Sequence, residues 1–222
     1  MQKRTLVVTA LKIAICVQGF LPAFTLWTAL ERMDKRFIHA YNFRTLSLGL
    51  AETGVWAFLF LFCALACTPV SRFTGWRWPS ELRRVLGLLA FFWVVLHALV
   101  YVVIGQKLNW GYIWLDALGR KSRIPGWLSL FLLVPLALTS TDFMIRRLGG
   151  KRWKNLHRAV YAAAALAVLH LALVDSEGGY DFSRTKKALA PLLILLALRL
   201  VPRPSFRNKP KSSAPTRSSP DH

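Results

Sequence analysis

Three histidines lie inside apolar stretches of this 222-residue chain, and they are the residues best suited to chemistry. His97 lies in FFWVVLHALVYVV, and His157 and His170 lie in WKNLHRAVYAAAALAVLHLALV. An ionisable side chain at lipid depth is costly, so it is by default a candidate functional residue. Imidazole is also the usual axial ligand of b-type haem iron, and haem is apolar enough to lie inside a helical bundle. All three histidines are therefore candidate haem ligands.

The composition is typical of a membrane protein. Apolar residues make up 55% of the chain although its net charge is +20, a combination that arises when apolar spans alternate with basic loops. The basic residues are spread over several short loops, so nucleic acid is not expected as a partner. The cysteines Cys16, Cys63 and Cys67 fall in apolar runs, and an odd number without a CxxC motif argues against a disulfide framework.

Six stretches are apolar enough to cross a lipid bilayer as helices, which predicts an all-α integral membrane protein with a six-helix transmembrane bundle. The bundle domain would cover residues 1–202, and the Pro-, Ser- and Lys-rich segment 203–222 is expected to be a disordered basic tail. The second span is expected to end at Thr68-Pro69, after a loop over 31–46, and Pro22 is expected to kink the first span. The predicted spans are about 6–28, 51–70, 85–104, 126–141, 157–174 and 188–202.

The charge distribution gives the orientation of the bundle and the depth of each histidine. Lys and Arg are more frequent in the segments that face inward when both termini are cytoplasmic, which favours that orientation. His97 then lies 13 residues beyond Arg84 at the inner end of helix three, and His170 lies 13 residues beyond His157 at the inner end of helix five. Thirteen helical residues rise about 20 Å. His97 and His170 are therefore expected at one depth near the outer face, where they can hold one haem iron, with His157 alone near the inner face.

Other interpretations of these histidines stay open. Polar side chains in membranes often form hydrogen bonds between helices, and His157, close to the headgroups, suits that role best. On a straight helix, His157 and His170 would face directions about 140° apart, so a second haem directly below the first does not follow. The chain could instead be a small basic membrane transporter or scaffold with histidines in a proton relay. It could also be a cytochrome b subunit of another reductase or dehydrogenase.

Four stretches of the sequence resemble the MsrQ family of haem-binding membrane subunits, which belongs to the ferric reductase-like transmembrane superfamily. They are GFLPAFTLW, ETGVWAFLFLFCALACTPV, LRRVLGLLAFFWVVLHALVY and LTSTDFMIRRLGGKRWKNLHRAVYAAAALAVLH, and the resemblance covers about residues 10–200. It implies a ferric reductase-like bundle in the bacterial cell inner membrane. It also implies haem b, in one or two copies, with flavin mononucleotide (FMN) as a further cofactor of the family.

The resemblance further implies that the chain carries electrons and holds no catalytic site for sulfoxide reduction. Electrons would come from the quinone pool or a cytoplasmic flavin reductase. They would pass to a periplasmic molybdopterin-dependent methionine sulfoxide reductase, which supports the repair of oxidised periplasmic proteins. Carried onto this sequence, the haem iron ligands would be His97, His170 and His157. Related ferric reductases hold two haems with four histidines on two helices, and Arg84 stands where a fourth histidine would be wanted.

A basic rim is expected at the inner face, on the side where electrons would arrive. Arg83 and Arg84 match the basic pair of the family and directly precede the helix of His97. Arginine is suited to bidentate contacts with phosphate, so this rim could attract an anionic flavin phosphate or an acidic partner surface. Alternatively, the rim sets membrane topology alone. Its members are Arg83, Arg84, Arg146, Arg147, Lys151 and Arg152.

Overall fold

The computed structural model describes residues 2–32, 38–178, 190–195 and 197–198, and these ranges are helical apart from short turns. A π-helical segment, Val100–Gly105, directly follows the third helix. Residues 190–195 are also helical. The α-helices before them are α1 (Gln2–Arg32), α2 (Ile38–Thr74), α3 (Trp78–Leu99), α4 (Trp110–Gly119), α5 (Arg123–Leu138), α6 (Asp142–Leu148), α7 (Gly150–His157) and α8 (Ala159–Glu177).

The described residues contain four stretches long and apolar enough to cross a membrane, and a bent pair of helices makes a fifth. The pair is α4 with α5, and the chain bends by 112° at the break between these two helices. These five correspond to the first five predicted spans and confirm an all-α membrane bundle. The sixth predicted span, 188–202, is described only at residues 190–195 and 197–198, and the tail 203–222 lies wholly outside the described residues. The four single stretches are Thr5–Phe24, Gly49–Thr74, Trp78–Gly105 and Gly150–Glu177.

The predicted loop over 31–46 and the predicted end of the second span are wrong, whereas the apolar stretch begins at Gly49, close to the predicted start. α2 begins at Ile38, inside the stretch that was expected to be a loop, and it continues through Pro69 to Thr74. A proline removes one main-chain hydrogen bond, but in membrane helices neighbouring helices and Ser or Thr side chains satisfy the freed groups. At the end of α2, Thr74 donates from Oγ1 to the carbonyl of Val70 at 2.8 Å, which satisfies a carbonyl of the last turn. The helix therefore ends a full turn later than the Thr-Pro pair indicates.

Helix α3 is the centre of the packing. It packs closely against α2 and also contacts α1 and α5, while α8 packs along α5. Trp93 of α3 is fully buried, and its Nε1 donates to the carbonyl of Gly19 in α1 at 3.0 Å. Burial of a large ring together with satisfaction of its N–H favours one arrangement of the helices. Leu89 of α3 and Val168 of α8 belong to the same buried cluster. The core thereby holds the two helices that carry His97 and His170.

Candidate functional site

The structure brings together the two histidines that the sequence places at equal depth. The rings of His97 on α3 and His170 on α8 have centres 6.3 Å apart, and their planes cross at 83°. Both rings are half-buried. We call this pair the paired-histidine site.

His97 is anchored by helix α2. Its Nδ1 lies 3.1 Å from the carbonyl of Leu50 and 3.0 Å from Oγ1 of Thr53. Thr53 is fully buried, and its hydroxyl donates to the carbonyl of Gly49 at 2.6 Å. A carbonyl can only accept, so the proton of the imidazole is assigned to Nδ1. This tautomer leaves the lone pair on Nε2 for a metal.

His170 is anchored by the start of helix α5. Its Nδ1 lies 2.6 Å from the carbonyl of Ser122, the residue that precedes α5. Gly126, one turn further along α5, permits this approach, because a Cβ atom there would lie 2.9 Å from Nδ1 of His170. The proton is again assigned to Nδ1, since its partner is a carbonyl. In both imidazoles the lone pair of Nε2 is thus left available to a metal.

The paired-histidine site fits a haem iron better than a bare metal ion. With metal–nitrogen bonds of about 2 Å, and about 1 Å more from each nitrogen to its ring centre, two opposite imidazoles have centres about 6 Å apart. The separation of 6.3 Å agrees with that geometry. Within the described ranges no group of three or more His, Cys, Asp or Glu side chains is placed to hold a metal. A haem supplies four ring nitrogens itself, so two imidazoles complete its coordination.

A polar cluster borders the paired-histidine site, and sequence reasoning missed it. Tyr101, in the π-helical segment one turn beyond His97, donates to the Asp116 carboxylate at 2.6 Å. Arg123 donates from Nε to the same carboxylate at 2.7 Å and lies 5.0 Å over the Tyr101 ring. π-Helical segments are often found at functional sites. The cluster links the end of α3 to the α4–α5 bend, next to the carbonyl that anchors His170.

His157 has different surroundings from the paired-histidine site. It is the last residue of α7, and Arg158 separates it from α8. The fifth span nonetheless remains one apolar stretch, Gly150–Glu177, with a single turn residue at Arg158. The His157 ring stacks on Trp153 at 4.0 Å between centres, and its Nδ1 lies 3.1 Å from the Trp153 carbonyl. Its Nε2 is buried and has no hydrogen-bond partner among the described residues.

A cavity of 430 Å³ opens beside His157. We call the cavity and His157 together the single-histidine site. Its walls are apolar, and its charged lining residues are the cations Arg83, Arg84, Lys154 and Arg158. The walls include Leu61, Leu65, Phe91, Leu133, Val160 and Tyr161.

Only part of the predicted basic rim lies at the cavity. Arg83 and Arg84 line it, whereas Arg146, Arg147, Lys151 and Arg152 are exposed on α6 and α7 and are not among its lining residues. Arg84 pairs with Asp142 at 2.7 Å across an exposed surface. Arg83 donates to Oγ1 of Thr68 at 3.4 Å. Lys154 and Arg158, which are three residues before and one residue after His157 along the chain, complete the cationic lining in place of the four distant residues.

Comparison with known proteins gives concordant results. The profile described as "Ferric reductase like transmembrane component" matches residues 53–168. The protein-methionine-sulfoxide reductase heme-binding subunit MsrQ of Rhodospirillum rubrum is 46% identical over 165 residues, which is 74% of this chain and 77% of that protein. MsrQ of Deinococcus radiodurans is 38% identical over 185 residues, 83% of each chain. Magnetosome protein MamZ of Magnetospirillum gryphiswaldense is 46% identical over 130 residues, 58% of this chain and 20% of MamZ.

The matched region and the site geometry coincide. Residues 53–168 begin at the threonine that contacts His97, include both His97 and His157, and end two residues before His170. The MsrQ relatives are matched over most of their own length. The chain therefore belongs to the ferric reductase-like transmembrane family and, within it, to the MsrQ subunits.

Proposed function

We propose that this chain is the haem b electron-transfer subunit of a methionine sulfoxide reductase system in a bacterial inner membrane. One observation carries the proposal: at the paired-histidine site, two imidazoles stand at the spacing of opposite axial ligands, each with Nδ1 bound to a carbonyl. The relatives named for heme binding and for protein-methionine-sulfoxide reductase support both the cofactor and the partner.

In this proposal, His97 and His170 hold haem b through their Nε2 atoms. Haem, when bound, supplies an iron centre that accepts and donates one electron at a time. The carbonyls of Leu50 and Ser122 fix each imidazole in the Nδ1–H tautomer and orient its ring. Such contacts also raise the basicity of the ligating nitrogen. The ligands are therefore oriented by the fold itself and need little rearrangement when the iron changes charge.

The single-histidine site is proposed to receive electrons. The cavity of 430 Å³, with apolar walls and four cationic side chains, suits a flat cofactor that has an apolar ring system and anionic groups. A second haem b and FMN are both cofactors of this kind. Nε2 of His157 is the candidate ligand atom, because it is buried without a partner in the described part of the chain. Arg83 and Arg84 are the candidate contacts for a propionate or a flavin phosphate.

The orientation assigns a direction to the transfer. With both termini in the cytoplasm, as the charge distribution favours, the single-histidine site lies near the cytoplasm and the paired-histidine site near the periplasm. Electrons would come from the quinone pool or a cytoplasmic flavin reductase. They would cross about 20 Å of bilayer, the rise of the 13 residues from His157 to His170. A periplasmic molybdopterin-dependent methionine sulfoxide reductase would receive them and reduce the sulfoxide.

The test uses the full chain purified in detergent. We expect a Soret band and the reduced spectrum of a b-type haem. After reduction by a quinol, we expect the haem spectrum to return to the oxidised form when the molybdopterin partner and methionine sulfoxide are added together. A purified protein without a Soret band would refute the haem assignment. A haem protein that this partner does not reoxidise would refute the assignment of the partner.

The relationship to MamZ supports one alternative partner. The matched core of 130 residues covers 20% of MamZ, so a similar core occurs within a much longer protein of a different name. A cytochrome b subunit that serves another reductase is therefore the second candidate. It predicts the same haem spectrum without reoxidation by the methionine sulfoxide reductase, so the experiment above distinguishes the two.

A further inference from the structure

The residue that anchors His170 is itself held by a carboxylate. Glu177 is at the end of α8, two turns beyond His170. Its Oε1 accepts from the backbone N–H of Ser122 at 3.0 Å, and its Oε2 accepts from the Ser122 hydroxyl at 2.6 Å. Ser122 is completely buried, and its carbonyl accepts from His170 at 2.6 Å. Every polar group of this serine is thus engaged, on one side by the carboxylate and on the other by the histidine.

The two histidines of the paired-histidine site differ in the charge of the groups at the end of their hydrogen-bond chains. The contacts of His97 run to Thr53 and the carbonyls of Gly49 and Leu50, all of which are uncharged. The contacts of His170 run through Ser122 to the negative charge of Glu177. Carboxylates and carbonyls behind a ligating histidine fix its ring and raise the basicity of its ligating nitrogen. Glu177 is exposed and lies near Arg120 and Arg123, which offset part of its charge, and the remaining negative charge favours the more positive, oxidised state of a nearby iron.

We propose that Glu177, acting through Ser122, is a positioning residue for His170 that also lowers the reduction potential of the haem iron at the paired-histidine site. The proposal rests on the proposed function, since it needs haem between His97 and His170. The bidentate contact fixes both the N–H and the hydroxyl of Ser122, and so fixes the carbonyl that orients the imidazole. The carboxylate thus acts in two ways. Its charge affects the reduction potential, and its two oxygens fix the position of Ser122.

Two substitutions separate charge from geometry. Glu177→Gln removes the charge but keeps an oxygen that can accept from Ser122. Glu177→Asp keeps the charge but is one methylene too short to reach both groups of Ser122. Both are made in a His157→Ala background, so that only haem at the paired-histidine site is observed. The readouts are the affinity of the apoprotein for added haem, the midpoint potential, and the electron paramagnetic resonance spectrum of the ferric form, which reports the angle between the imidazole planes.

We expect Glu177→Gln to raise the midpoint potential with a small loss of haem affinity. We expect Glu177→Asp to weaken haem binding by about tenfold, the usual scale for a lost contact behind a metal ligand, and to change the resonance spectrum. Ser122→Ala, which retains the N–H and the carbonyl, should lie between wild type and Glu177→Asp in affinity. Glu81→Gln, the same charge change at an exposed acid in the first turn of α3, sixteen residues from His97, is the matched control and should leave the potential unchanged.

The outcomes distinguish this inference from the proposed function. If the parent protein binds no haem, the proposed function fails. If it binds haem and both Glu177 variants keep its affinity, potential and resonance spectrum, the positioning role alone is refuted. An equal rise of the potential in Glu81→Gln would also refute it, because the effect would then be one of overall charge.

Discussion

The two histidine sites are built on opposite plans. At the paired-histidine site, the ring centres of two imidazoles from α3 and α8 lie 6.3 Å apart. The carbonyl of Leu50 in α2 holds His97, and the carbonyl of Ser122, just before α5, holds His170. At the single-histidine site, one imidazole stacks on Trp153 beside a cavity of 430 Å³ with a cationic lining. At the paired-histidine site, the fold fixes the positions of two imidazoles. The single-histidine site instead offers a cavity with positive charge along its lining.

The two sites divide two tasks within one bundle. A rigid pair of ligands limits rearrangement during electron transfer, because the ligands already stand where both oxidation states need them. A cavity with cations at its edge attracts an anionic molecule and tolerates variation in its shape. The rigid site therefore suits a permanently held cofactor, and the open site suits the exchange of electrons with a donor. Variants at each site test this division between holding a cofactor and exchanging electrons with a donor.

The largest effect is expected from the paired ligands. If His97 and His170 hold haem as proposed, replacing either with Ala removes one of its two protein ligands, so each single variant should lose the absorption of that haem. The measurement is the reduced-minus-oxidised spectrum and the haem content of the purified variant. His39→Ala, which changes a histidine outside the apolar stretches, is the matched control. Full retention of the b-type spectrum in both single variants would show that this pair does not ligate haem.

A second prediction tests the rigidity of the same site through two glycines. In Gly126→Ala, the new Cβ would lie 2.9 Å from Nδ1 of His170, closer than such contacts occur, and the ring is held by Ser122. The ring must therefore move, and haem affinity should fall by about 10-fold or more. In Gly54→Ala, the Cβ would lie at an ordinary 3.6 Å from the His97 ring, so affinity should stay near wild type.

Haem titration into the two apoproteins measures this difference. Both variants add one methyl group to a helix beside a ligating histidine, so they are matched in size and chemistry. Equal affinities would mean that the site adapts to the added methyl. The contrast between a rigid and an adaptable site would then fail.

The pairing of His97 with His170 could be predicted from the sequence because depth in a membrane helix follows residue number. Equal intervals of 13 residues from the inner ends of two helices with the same direction place both side chains at one level. The cationic lining could be predicted only in part. Arg83 and Arg84 lie at the cavity, but the choice of Lys154 and Arg158 over the residues of α6 depends on the turns between α6, α7 and α8.

The anchors of the histidines could not be predicted. Leu50 and Ser122 act through backbone carbonyls, which every residue has, so no residue type marks them. Glu177 and Ser122 are 55 residues apart in sequence, and their contact depends on how α5 packs on α8. The course of α2 through Pro69 was missed for a related reason, because tertiary packing can override a local signal that usually ends a helix.

A smaller effect is expected from the single-histidine site. His157→Ala removes the one imidazole there, the proposed ligand, but leaves the anchors of His97 and His170 in place. We expect lower total cofactor content or slower reduction by a quinol, while the haem of the paired-histidine site keeps its spectrum. Asn155→Ala, a nearby polar change on α7, is the control. Wild-type cofactor content together with wild-type reduction kinetics would make His157 a structural residue that supports the Trp153 stack.

The smallest effect is expected from the cations at the cavity. Arg83→Gln with Arg84→Gln removes two of the four cationic side chains that line it, and also the ion pair of Arg84 with Asp142. That pair is exposed, so its loss should cost no more than about 1 kcal/mol of stability. The attraction for an anionic donor or flavin phosphate should fall, so haem reduction by quinol or reduced flavin should slow several-fold.

The control is Arg146→Gln with Arg147→Gln, which removes the same charge from α6, away from the cavity. Membrane topology of both double variants is checked with reporter fusions. If both correctly inserted double variants are reduced at the wild-type rate, Arg83 and Arg84 serve only to orient the chain. If both slow equally, the effect comes from overall surface charge, and the cavity loses its special role in the comparison of the two sites.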